Sequence, residues 1–427
     1  MKVMLIGGGG REHCIAWKVA QNGDVDELYC IPGNGGMGPL GTNLTLRNTE
    51  EMLRFAQEKK IDLTLVGPEA PLAAGIVDLF SGKGCPIMGP DKNAAQLESS
   101  KVYAKSFMQK YYIPTAHWEV FQEVSPAISF LRGEKDFPLV IKADGLASGK
   151  GVFIVEDQDE GVEVLEDIMK AKTFGNAGDR VIIEQYLEGE EATLMLLFDG
   201  ETYLILPSSQ DHKRVGDGDV GPNTGGMGAY SPAPVVSDKI LQKIEKEIIH
   251  PLVEGIHQEG LHYRGIIYLG LMISKKKDVS VLEFNVRLGD PESQVVLPRL
   301  RNDWIEINLA ILKGELHTIH LDITPQPMLG VVLTSRGYPG QFETGKQIEG
   351  LELFTNDPRS SVLVFHAATE EREEVIYSSG GRVLNVCAFG EDLKQAAQNA
   401  YNGAGKIRFE NIYYRHDIGY RAFHREE

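Results

Sequence analysis

Short apolar runs alternate with amphipathic segments over the first hundred residues of the chain. The runs KVMLI, ELYCI, DLTLV and CPIMG are rich in strand-forming residues, whereas EHCIAWKVA and TEEMLRFAQEKK have helical spacing. This alternation predicts a parallel sheet with helical crossovers. Each run ends in a turn cluster, and open α/β sheets bind ligands beyond the carboxyl ends of their strands. We therefore expect residues 1–101 to form an α/β domain with a ligand site.

The next segment predicts two strands, FPLVIK and VFIV, that flank the glycine-rich loop of IKADGLASGKGV. Three residues separate Gly145 from Gly149, and Gly151 stands where a Walker A loop has its hydroxyl, so the Walker pattern fails on both counts. Backbone N–H groups of such a loop, together with Lys142 and Lys150, can still hold an anion. The pattern favours a hairpin-like flap that covers a phosphate site.

A polar, glycine-rich stretch follows at residues 210–230. It has no apolar period, and loops of this length inside compact domains are usually functional or disordered. After it, apolar positions from Ile240 to Ile256 predict a long helix with a kink at Pro251, and RGIIYLGLMI and VSVLEFNV predict two strands joined by a turn. Short strands from about Thr324 onward predict a small α+β domain. The predicted fold class is therefore multidomain, α/β followed by α+β.

Composition narrows the function classes. The chain of 427 residues has 43 basic and 61 acidic side chains and a formal net charge of -18, which disfavours general binding to nucleic acid or an anionic membrane. No segment approaches about 18 consecutive apolar residues, and the N-terminus lacks an apolar core of signal length, so we expect a cytoplasmic protein. The four cysteines lie far apart in sequence, which indicates neither a zinc site nor a disulfide framework.

The segment VLEFNVRLGDPESQVV carries the clearest chemistry. Because side chains alternate along a strand, Glu283, Asn285 and Arg287 are expected on one face. The apolar residues expected on the other face are Leu282, Phe284 and Val286. A carboxylate and an amide oxygen two residues apart suit magnesium, and an arginine can fork onto a carboxylate or phosphate. The alternative is an edge strand with a solvated face and an internal ion pair between Glu283 and Arg287.

Two further segments are compatible with nucleotide chemistry. The strand end EQYL, residues 184–187, can offer backbone groups to an adenine edge, and Glu190 and Glu191 both remain candidates for the ribose hydroxyls. The turn GGGGREH lacks the third glycine of a dinucleotide fingerprint. A glycine turn that opens a helix can still hold a smaller anion, with Arg11 as counter-ion. The alternative is a tight turn with Arg11 in solvent.

The flap, then the strand end EQYL as a hinge, then the metal strand follow one another in an order that resembles that of the ATP-grasp ligases. Among these, the glycinamide ribonucleotide synthetase family is similar in six segments that run in its order from residue 7 to residue 422: GGGGREH, VGPEAPL, IKADGLASGKGV, QDHKRVGDGDVGPNTGGMGAYSP, RLGDPESQ and GYRA. The resemblance implies an N-terminal parallel-sheet (pre-ATP-grasp) domain that binds substrate at residues 1–101. It further implies a two-lobed ATP-grasp domain at 102–323 with a mobile flap lobe at about 120–190, a small C-terminal α+β domain at 324–427, and a monomer.

The same resemblance implies ATP-dependent ligation of glycine to 5-phosphoribosylamine through a glycyl phosphate, which gives glycinamide ribonucleotide, ADP and phosphate in de novo purine biosynthesis. The implied cofactors are ATP and Mg²⁺ or Mn²⁺, with the metal held by Glu283 and Asn285. The implied catalytic residues are Arg287, Asp290 and Lys142. The implied ATP-binding residues are Lys105, Lys142, Ser148, Gly149, Lys150, Gly151, Glu184, Gln185, Tyr186, Leu187 and Glu191. The implied substrate-binding residues are Gly9, Gly10, Arg11, Glu12, Asp211, His212, Lys213, Arg214, Asn223, Thr224, Gly225, Gly226 and Arg287.

The sequence departs from the family pattern in three places. The strand YLGLMI offers no second metal carboxylate, which shifts the expected coordination toward Asn285, phosphates and water. Leu288 and Cys14 stand where relatives often have phenylalanine and alanine, and both are expected to be packing changes. The competing hypotheses are another amine or amino-acid ligase of the superfamily, a nucleotide-binding regulatory protein without catalysis, and, more weakly, a dinucleotide oxidoreductase. Residues 210–232 separate the first of these from the main hypothesis, because the acceptor pocket varies between ligases.

Overall fold

The first hundred residues fold around a parallel sheet, as the apolar pattern predicts. The structure, a computed structural model, describes residues 1–146 and 151–423. The strands of this region are β1 (Lys2–Gly7), β2 (Glu27–Pro32), β3 (Thr42–Asn43), β4 (Leu63–Val66) and β5 (Gly89–Pro90). Its helices are α1 (Gly10–Val19), α2 (Thr49–Lys59), α3 (Glu69–Ala74), α4 (Ile76–Ser81) and α5 (Gln96–Ser99).

The parallel strands of this sheet have the order β3-β2-β1-β4. The glycine turn after β1 leads directly into α1, so the start of α1 lies at the carboxyl edge of the sheet, where ligands bind in open α/β folds. The CPIMG run differs from the prediction. Ile87 forms only an isolated parallel bridge with Thr64, and β5 pairs with a strand of the next region.

The middle of the chain contains two antiparallel sheets and several short hairpins. Its strands are β6 (Trp118–Phe121), β7 (Leu139–Ala143), β8 (Val152–Val155), β9 (Val181–Gln185), β10 (Glu190–Phe198), β11 (Tyr203–Ile205), β12 (Gln210–Asp211), β13 (Arg214–Gly216), β14 (Val220–Asn223), β15 (Gly228–Ser231), β16 (Tyr263–Ile273) and β17 (Val279–Asn285). Its α-helices are α6 (Lys101–Lys110), α7 (Val124–Gly133), α8 (Gln158–Met169), α9 (Asp238–Ile244), α10 (His250–Gln258), α11 (Ser293–Val296) and α12 (Trp304–Lys313). The sheet orders are β6-β9-β7-β8 and β11-β10-β16-β17.

The predicted flap hairpin is confirmed by the pairing of β7 with β8. Lys142 pairs with Val152, so the connecting loop begins directly after the strand. The first antiparallel sheet packs with α7 and α8 around its own core, in which Ile141 and Ile183 are buried against Leu165. A hairpin carried by a separately packed lobe is the arrangement expected of a flap.

The long helix predicted after residue 237 is present, with a change of winding near Pro251. Helices α9 and α10 are joined by a π-helical turn at Glu245–Ile249. Proline has no N–H to donate to the preceding turn, which accounts for a wider turn just before it. The predicted irregularity therefore lies in the turn that precedes Pro251.

The C-terminal part is a mixed α+β unit, as predicted. Its strands are β18 (Met328–Ser335), β19 (Val362–His366), β20 (Thr369–Arg372), β21 (Val375–Ser378), β22 (Arg382–Phe389) and β23 (Ile412–Tyr413). Its α-helices are α13 (Leu393–Ala404) and α14 (Tyr420–Phe423). No helix in the described part of the chain is long and apolar enough to cross a membrane.

The glycine-rich stretch at residues 210–230 is more regular than the sequence suggests. It forms β12 to β15, and β12 and β15 extend the C-terminal sheet, whose order is β12-β15-β18-β22-β19. Ala229 and Tyr230 are fully buried there. The prediction of a loop without strands was wrong, because backbone pairing with β18 supplies the order that the side-chain pattern does not show.

Candidate active site

One cleft of about 490 Å³ brings most of the predicted site residues together. Its walls come from all parts of the fold, with Arg11 from α1, Lys142 from β7, Glu283 from β17 and Arg382 from β22. A volume of this size is typical of small-ligand sites. The predicted residues that line the cleft are Arg11, Lys105, Lys142, Gly151, Glu184, Gln185, Tyr186, Leu187, Glu191, Asp211, Lys213, Asn223, Thr224, Gly225, Glu283, Asn285, Arg287 and Asp290.

Glu283 and Asn285 of β17, and Arg287 two residues after its end, all line the cleft, as the alternation predicts. Phe284 is buried in the core as expected, and it also contributes to the cleft lining. Leu282 does not belong to the core, because the pairing of β16 with β17 shifts register between Gly270 and Leu271. The bulge turns Leu282 to the cleft wall, where it is half-buried. Its expected place in the core was therefore a wrong prediction.

The Glu283 carboxylate is exposed to the cleft and surrounded by cations. Desolvation raises its pKa, but the charges of Lys213, Lys142 and other nearby cations outweigh this, so the pKa lies below its ordinary value. The Asn285 amide donates weakly to Glu283 Oε1 over 3.4 Å. An ionised carboxylate beside an amide oxygen fits a hard divalent cation that completes its shell with phosphate and water oxygens. No group of three or more His, Cys, Asp or Glu side chains that could hold a metal occurs among the described residues.

Arg287 is held by two carboxylates from the N-terminal region. Its guanidinium lies 3.2 Å from Glu69 and 3.0 Å from Glu98, and it donates to Asn285 Oδ1 over 3.1 Å. Burial lowers the pKa of Arg287, yet Glu98 and Glu69 raise it above the ordinary value, so the side chain stays charged. Sequence reasoning missed both glutamates. Glu69 lies in VGPEAPL, one of the segments that resemble the family, whereas no feature of the neighbouring sequence distinguishes Glu98.

Lys105 and Lys142 share one buried carboxylate, that of Glu184. Glu184 is 4% exposed and lies on β9, which pairs with β7, the strand that carries Lys142. Burial lowers the pKa of Lys105 to about 8 although Glu184 raises it. Burial raises the pKa of Glu184, but the two lysines bring it below its ordinary value. The predicted hinge residue Glu184 therefore also supplies a counter-ion to both lysines.

A third lysine, Lys101, was missed in the sequence. It lines the cleft and donates to the Gly145 carbonyl at the root of the flap over 2.8 Å. Next to it, the amide N–H of Val102 donates to Asp144 Oδ1 over 3.1 Å. The start of α6 thus contacts the base of the flap loop directly. A lone lysine after a serine at a helix start gives no sequence signal for this contact.

Glu191 lines the cleft, whereas Glu190 is not among the lining residues. Glu191 pairs with Lys213 at 2.6 Å. This placement favours Glu191 of the two ribose candidates. Its assignment to the ribose nevertheless remains a prediction.

The cleft contains a second cluster of charges around Asp290. Asp290 accepts from Arg382 over 3.1 Å and from Gln294 over 2.8 Å. Burial raises the pKa of Asp290, but Arg382 and Arg11 bring it below the ordinary value, so it is an anion. Sequence reasoning missed Arg382 and Gln294, because the first lies on a distant strand and the second has no distinctive context outside RLGDPESQ.

Asp211 also lines the cleft and is 7% exposed. Burial raises its pKa to about 7, and Lys213 opposes the rise. A carboxylate that titrates near neutral pH inside a cleft is typical of functional sites.

Several predicted substrate residues do not line the cleft: Gly9, Gly10, Glu12, His212, Arg214 and Gly226. Glu12 accepts from the Gly9 N–H over 2.6 Å and from Arg11 Nε over 2.6 Å, so its carboxylate caps α1. A Cβ placed on Gly10 would lie 2.6 Å from Gln294 Nε2, so the glycine turn abuts the Asp290 cluster closely. The predicted flap residues Ser148, Gly149 and Lys150 lie outside the described residues.

His212 and Arg214 point away from the cleft, while their neighbours Asp211 and Lys213 face it. His212 is fully buried, and Arg214 donates to the Gly221 carbonyl over 2.7 Å. The alternation of an extended segment accounts for this division. The sequence predicts a loop at this position, so all four residues, 211–214, are expected there to bind substrate.

Three family models match consecutive parts of the chain. The N domain of phosphoribosylglycinamide synthetase matches residues 1–98, its ATP-grasp (A) domain residues 99–293, and its C domain residues 328–421. The chain is 45% identical over 431 residues to the phosphoribosylamine–glycine ligase of Vibrio cholerae, which covers 100% of both chains. It is 47% identical over 434 residues to that of Pseudomonas aeruginosa, which covers 100% of this chain and 99% of the relative.

Solved structures give the same result. The crystal structure of a phosphoribosylamine–glycine ligase from Thermotoga maritima is similar with a TM-score of 0.84 at 34% identity, covering 98% of this chain and 100% of the other. A biotin carboxylase from Campylobacter jejuni has a TM-score of 0.75 at 14% identity, covering 98% of each chain, which shows a shared fold alone. The chain therefore belongs to the phosphoribosylglycinamide synthetase family, with its N, ATP-grasp and C domains in order.

Proposed function

We propose that this chain ligates glycine to 5-phosphoribosylamine at the expense of ATP, giving glycinamide ribonucleotide, ADP and phosphate in purine biosynthesis. The observation that carries the proposal is the cleft itself. Glu283 and Asn285 of β17, and Arg287 just after it, line one cavity of about 490 Å³ together with Lys105 and Lys142. The full-length identity to named ligases supports the same reaction.

The chemistry requires activation of the glycine carboxylate. A carboxylate does not acylate an amine at neutral pH, so a carboxylate oxygen first attacks the terminal phosphorus of ATP, and ADP leaves. The amine of 5-phosphoribosylamine then attacks the carbonyl carbon of the glycyl phosphate, and inorganic phosphate leaves as the amide forms. Such a sequence depends on positioning and on neutralising the charge of the transferred phosphoryl group.

The cations of the cleft are suited to that neutralisation. We assign Lys105 and Lys142 to the triphosphate and Arg287 to a substrate anion near the transferred phosphoryl group. Glu283 and Asn285 would hold Mg²⁺ or Mn²⁺, which supplies positive charge to phosphate oxygens. Because Glu184 pairs with both lysines, a bound triphosphate competes with an internal carboxylate for them.

We assign the acceptor amine to the Asp290 end of the cleft. The Asp290 carboxylate is an anion that can accept a hydrogen bond from the amine N–H groups and orient the nitrogen. Arg382 and Arg11 act on the Asp290 charge and would provide cations for the ribose phosphate. The residues Asn223, Thr224 and Gly225 complete this wall.

The test is a product assay with each substrate omitted in turn. Phosphate release from magnesium-ATP is measured with glycine and with 5-phosphoribosylamine generated in place, and the product is identified by mass. We expect release that needs both co-substrates, with one glycyl group added to the ribosylamine. Alanine in place of glycine, and ribosylamine without its phosphate, serve as controls.

If ATP turns over with another amine and no glycinamide ribonucleotide forms, 5-phosphoribosylamine is the wrong acceptor and the other amine takes its place in the proposal. Absence of nucleotide binding and turnover would overturn it altogether.

A further inference from the structure

The C-terminal residues 415–421, here named the C-terminal clamp, lie against residues 211–226, here named the substrate loop. Arg415 is fully buried, with 0% of its side chain exposed. It donates to the Arg214 carbonyl over 2.9 Å, to Asp219 over 2.8 Å and to both Asp417 oxygens over 2.8 Å. Only GYRA, residues 419–422, belongs to the segments that resemble the family, and none of residues 415–421 lines the cleft.

Asp219, at the turn between β13 and β14, is the point on which the clamp converges. Its carboxylate accepts from Arg415, from the Tyr420 hydroxyl over 2.5 Å and from Arg421. The Gly218 N–H donates to Asp417 over 2.8 Å on the same turn. The hairpin of the substrate loop is therefore fixed at its tip by side chains from the other end of the sequence.

A second set of contacts fixes the base of the loop. The Gly419 N–H donates to His212 Nε2 over 3.0 Å, and the His212 ring packs against Tyr420 with centroids 5.6 Å apart. His212 lies between Asp211 and Lys213, which face the cleft. The Thr224 N–H donates to the Lys213 carbonyl over 2.7 Å, which ties the outgoing strand to the same point.

We propose that the C-terminal clamp is a positioning element that holds residues 223–225 at the acceptor end of the cleft and Asp211 and Lys213 in the adjoining wall. The proposal rests on the proposed function and deepens it. Buried ion pairs stabilise a fold poorly because desolvation offsets their attraction, whereas they do fix geometry. A cluster of two arginines and two aspartates on the far side of the loop is therefore better suited to orientation than to folding. A displacement of about 1 Å at a reacting group costs about a hundredfold in rate.

The main test variant is Asp219→Asn, which keeps the shape and removes the charge. We expect kcat/KM for 5-phosphoribosylamine to fall about ten- to a hundredfold, with ATP affinity changed less than about threefold. Tyr420→Phe deletes one hydroxyl without a cavity and is expected to cause a smaller loss in the same parameter. Asp357→Asn is the matched control, because it breaks an exposed aspartate–arginine pair in the same region that contacts nothing in the cleft.

Hydrogen exchange gives a readout that does not depend on the reaction. We expect faster exchange in Asp219→Asn for peptides that cover residues 211–227, where the amides of Thr224 and Met227 bond to Lys213 and His212. Peptides of the flap lobe should be unchanged. A wild-type chain that makes no glycinamide ribonucleotide would overturn the proposed function, while this exchange experiment would still decide on the clamp.

Unchanged exchange at residues 211–227 would overturn the clamp proposal, and so would an unchanged kcat/KM for the amine in both variants. Equal losses for ATP and for the amine, in parallel with a lowered Tm, would also overturn it, because they indicate a structural role alone. Restoration of the amine kcat/KM in Asp219→Glu, which returns the charge, would support it.

Discussion

Glu184 and Glu283 face the same cleft from two different sheets, and their surroundings differ. Glu184 is 4% exposed and lies between two lysine ammonium groups. Glu283 is exposed, and within residues 1–146 and 151–423 it has no ion pair at 4 Å or closer. The charge of Glu184 is therefore balanced by side chains of the protein, whereas the charge of Glu283 is available to a ligand.

The difference separates a carboxylate that can bind a ligand, Glu283, from one that pairs with neighbouring lysines, Glu184. Both carboxylates are ionised, but for different reasons. Glu184 is held charged by direct contact with Lys142 and Lys105, and Glu283 by the more distant charges of Lys213, Lys142 and Lys101. Only a carboxylate without a direct counter-ion can take up a divalent cation without first losing a partner.

Removal of the Glu283 charge is expected to have the largest effect. Glu283→Gln should lower the rate of glycinamide ribonucleotide formation about a thousandfold, because the charge that holds the cation at the phosphates is lost. A Mn²⁺ titration should show weaker metal binding in the presence of nucleotide. Glu119→Gln, the same change at an exposed carboxylate of β6, is the control and should retain wild-type rates.

A Glu283→Gln enzyme with normal rates and normal Mn²⁺ affinity would contradict the assignment. In that case the absence of a direct counter-ion at Glu283 would not mark it, in contrast to Glu184, as a metal ligand.

Sequence reasoning found Glu283 but not the partnership of Glu184, and the reason is physical. Alternation along one strand is a local property, so it predicts the row of Glu283, Asn285 and Arg287. The contact of Glu184 with Lys105 and Lys142 depends on the strand order β6-β9-β7-β8 and on the position of α6. Contacts of that kind arise from tertiary packing, and no local pattern specifies them.

The same distinction applies to the rest of the fold. The parallel sheet, the flap hairpin and the paired strands β16 and β17 follow from the apolar pattern. The bulge at Leu282 and the four strands within residues 210–232 do not, since each depends on the register of a partner strand. Residues such as Arg382 enter the cleft only because the C-terminal sheet packs beside it.

Removal of the Glu184 charge is expected to have an intermediate effect that depends on pH. Lys105 has a pKa of about 8, and Glu184 raises it. Since phosphate binding needs the charged lysine, the wild-type kcat/KM for ATP should fall as pH rises through about 8. Glu184→Gln removes the raising contribution, so the fall should begin at lower pH, with a loss of about ten- to a hundredfold at pH 8.

The measurement is the pH profile of kcat/KM for ATP in both proteins, because this parameter reports the free enzyme. Superimposable profiles would mean that Glu184 does not control the charge of Lys105. A loss that is the same at every pH would point to the hinge backbone instead of the lysines.

The smallest effect is expected at Asp211. Its carboxylate has no ion pair at 4 Å or closer among the described residues, unlike that of Glu184, and it is buried, unlike that of Glu283. Its pKa is about 7 in the fold against an ordinary value of 3.8, so the folded state binds a proton in this window that the unfolded state does not. Stability therefore falls as pH rises from about 4 to 7. Asp211→Asn should lower kcat/KM for the amine about tenfold and raise Tm at pH 8 by about 2 to 4 °C.

This gain should disappear near pH 4, where Asp211 is protonated in the fold. Asp199→Asn is the matched control, and the change in Tm expected for it at pH 8 has the opposite sign. Asp199 is buried as well, but its carboxylate accepts from the N–H groups of Glu201, Thr202 and Leu316 over 2.6 to 3.0 Å. An amide cannot satisfy all three donors, so Tm should fall at pH 8. If both variants lower Tm at pH 8, the Asp211 charge is stabilised by its neighbours. Asp211 would then not be a third kind of cleft carboxylate beside Glu184 and Glu283.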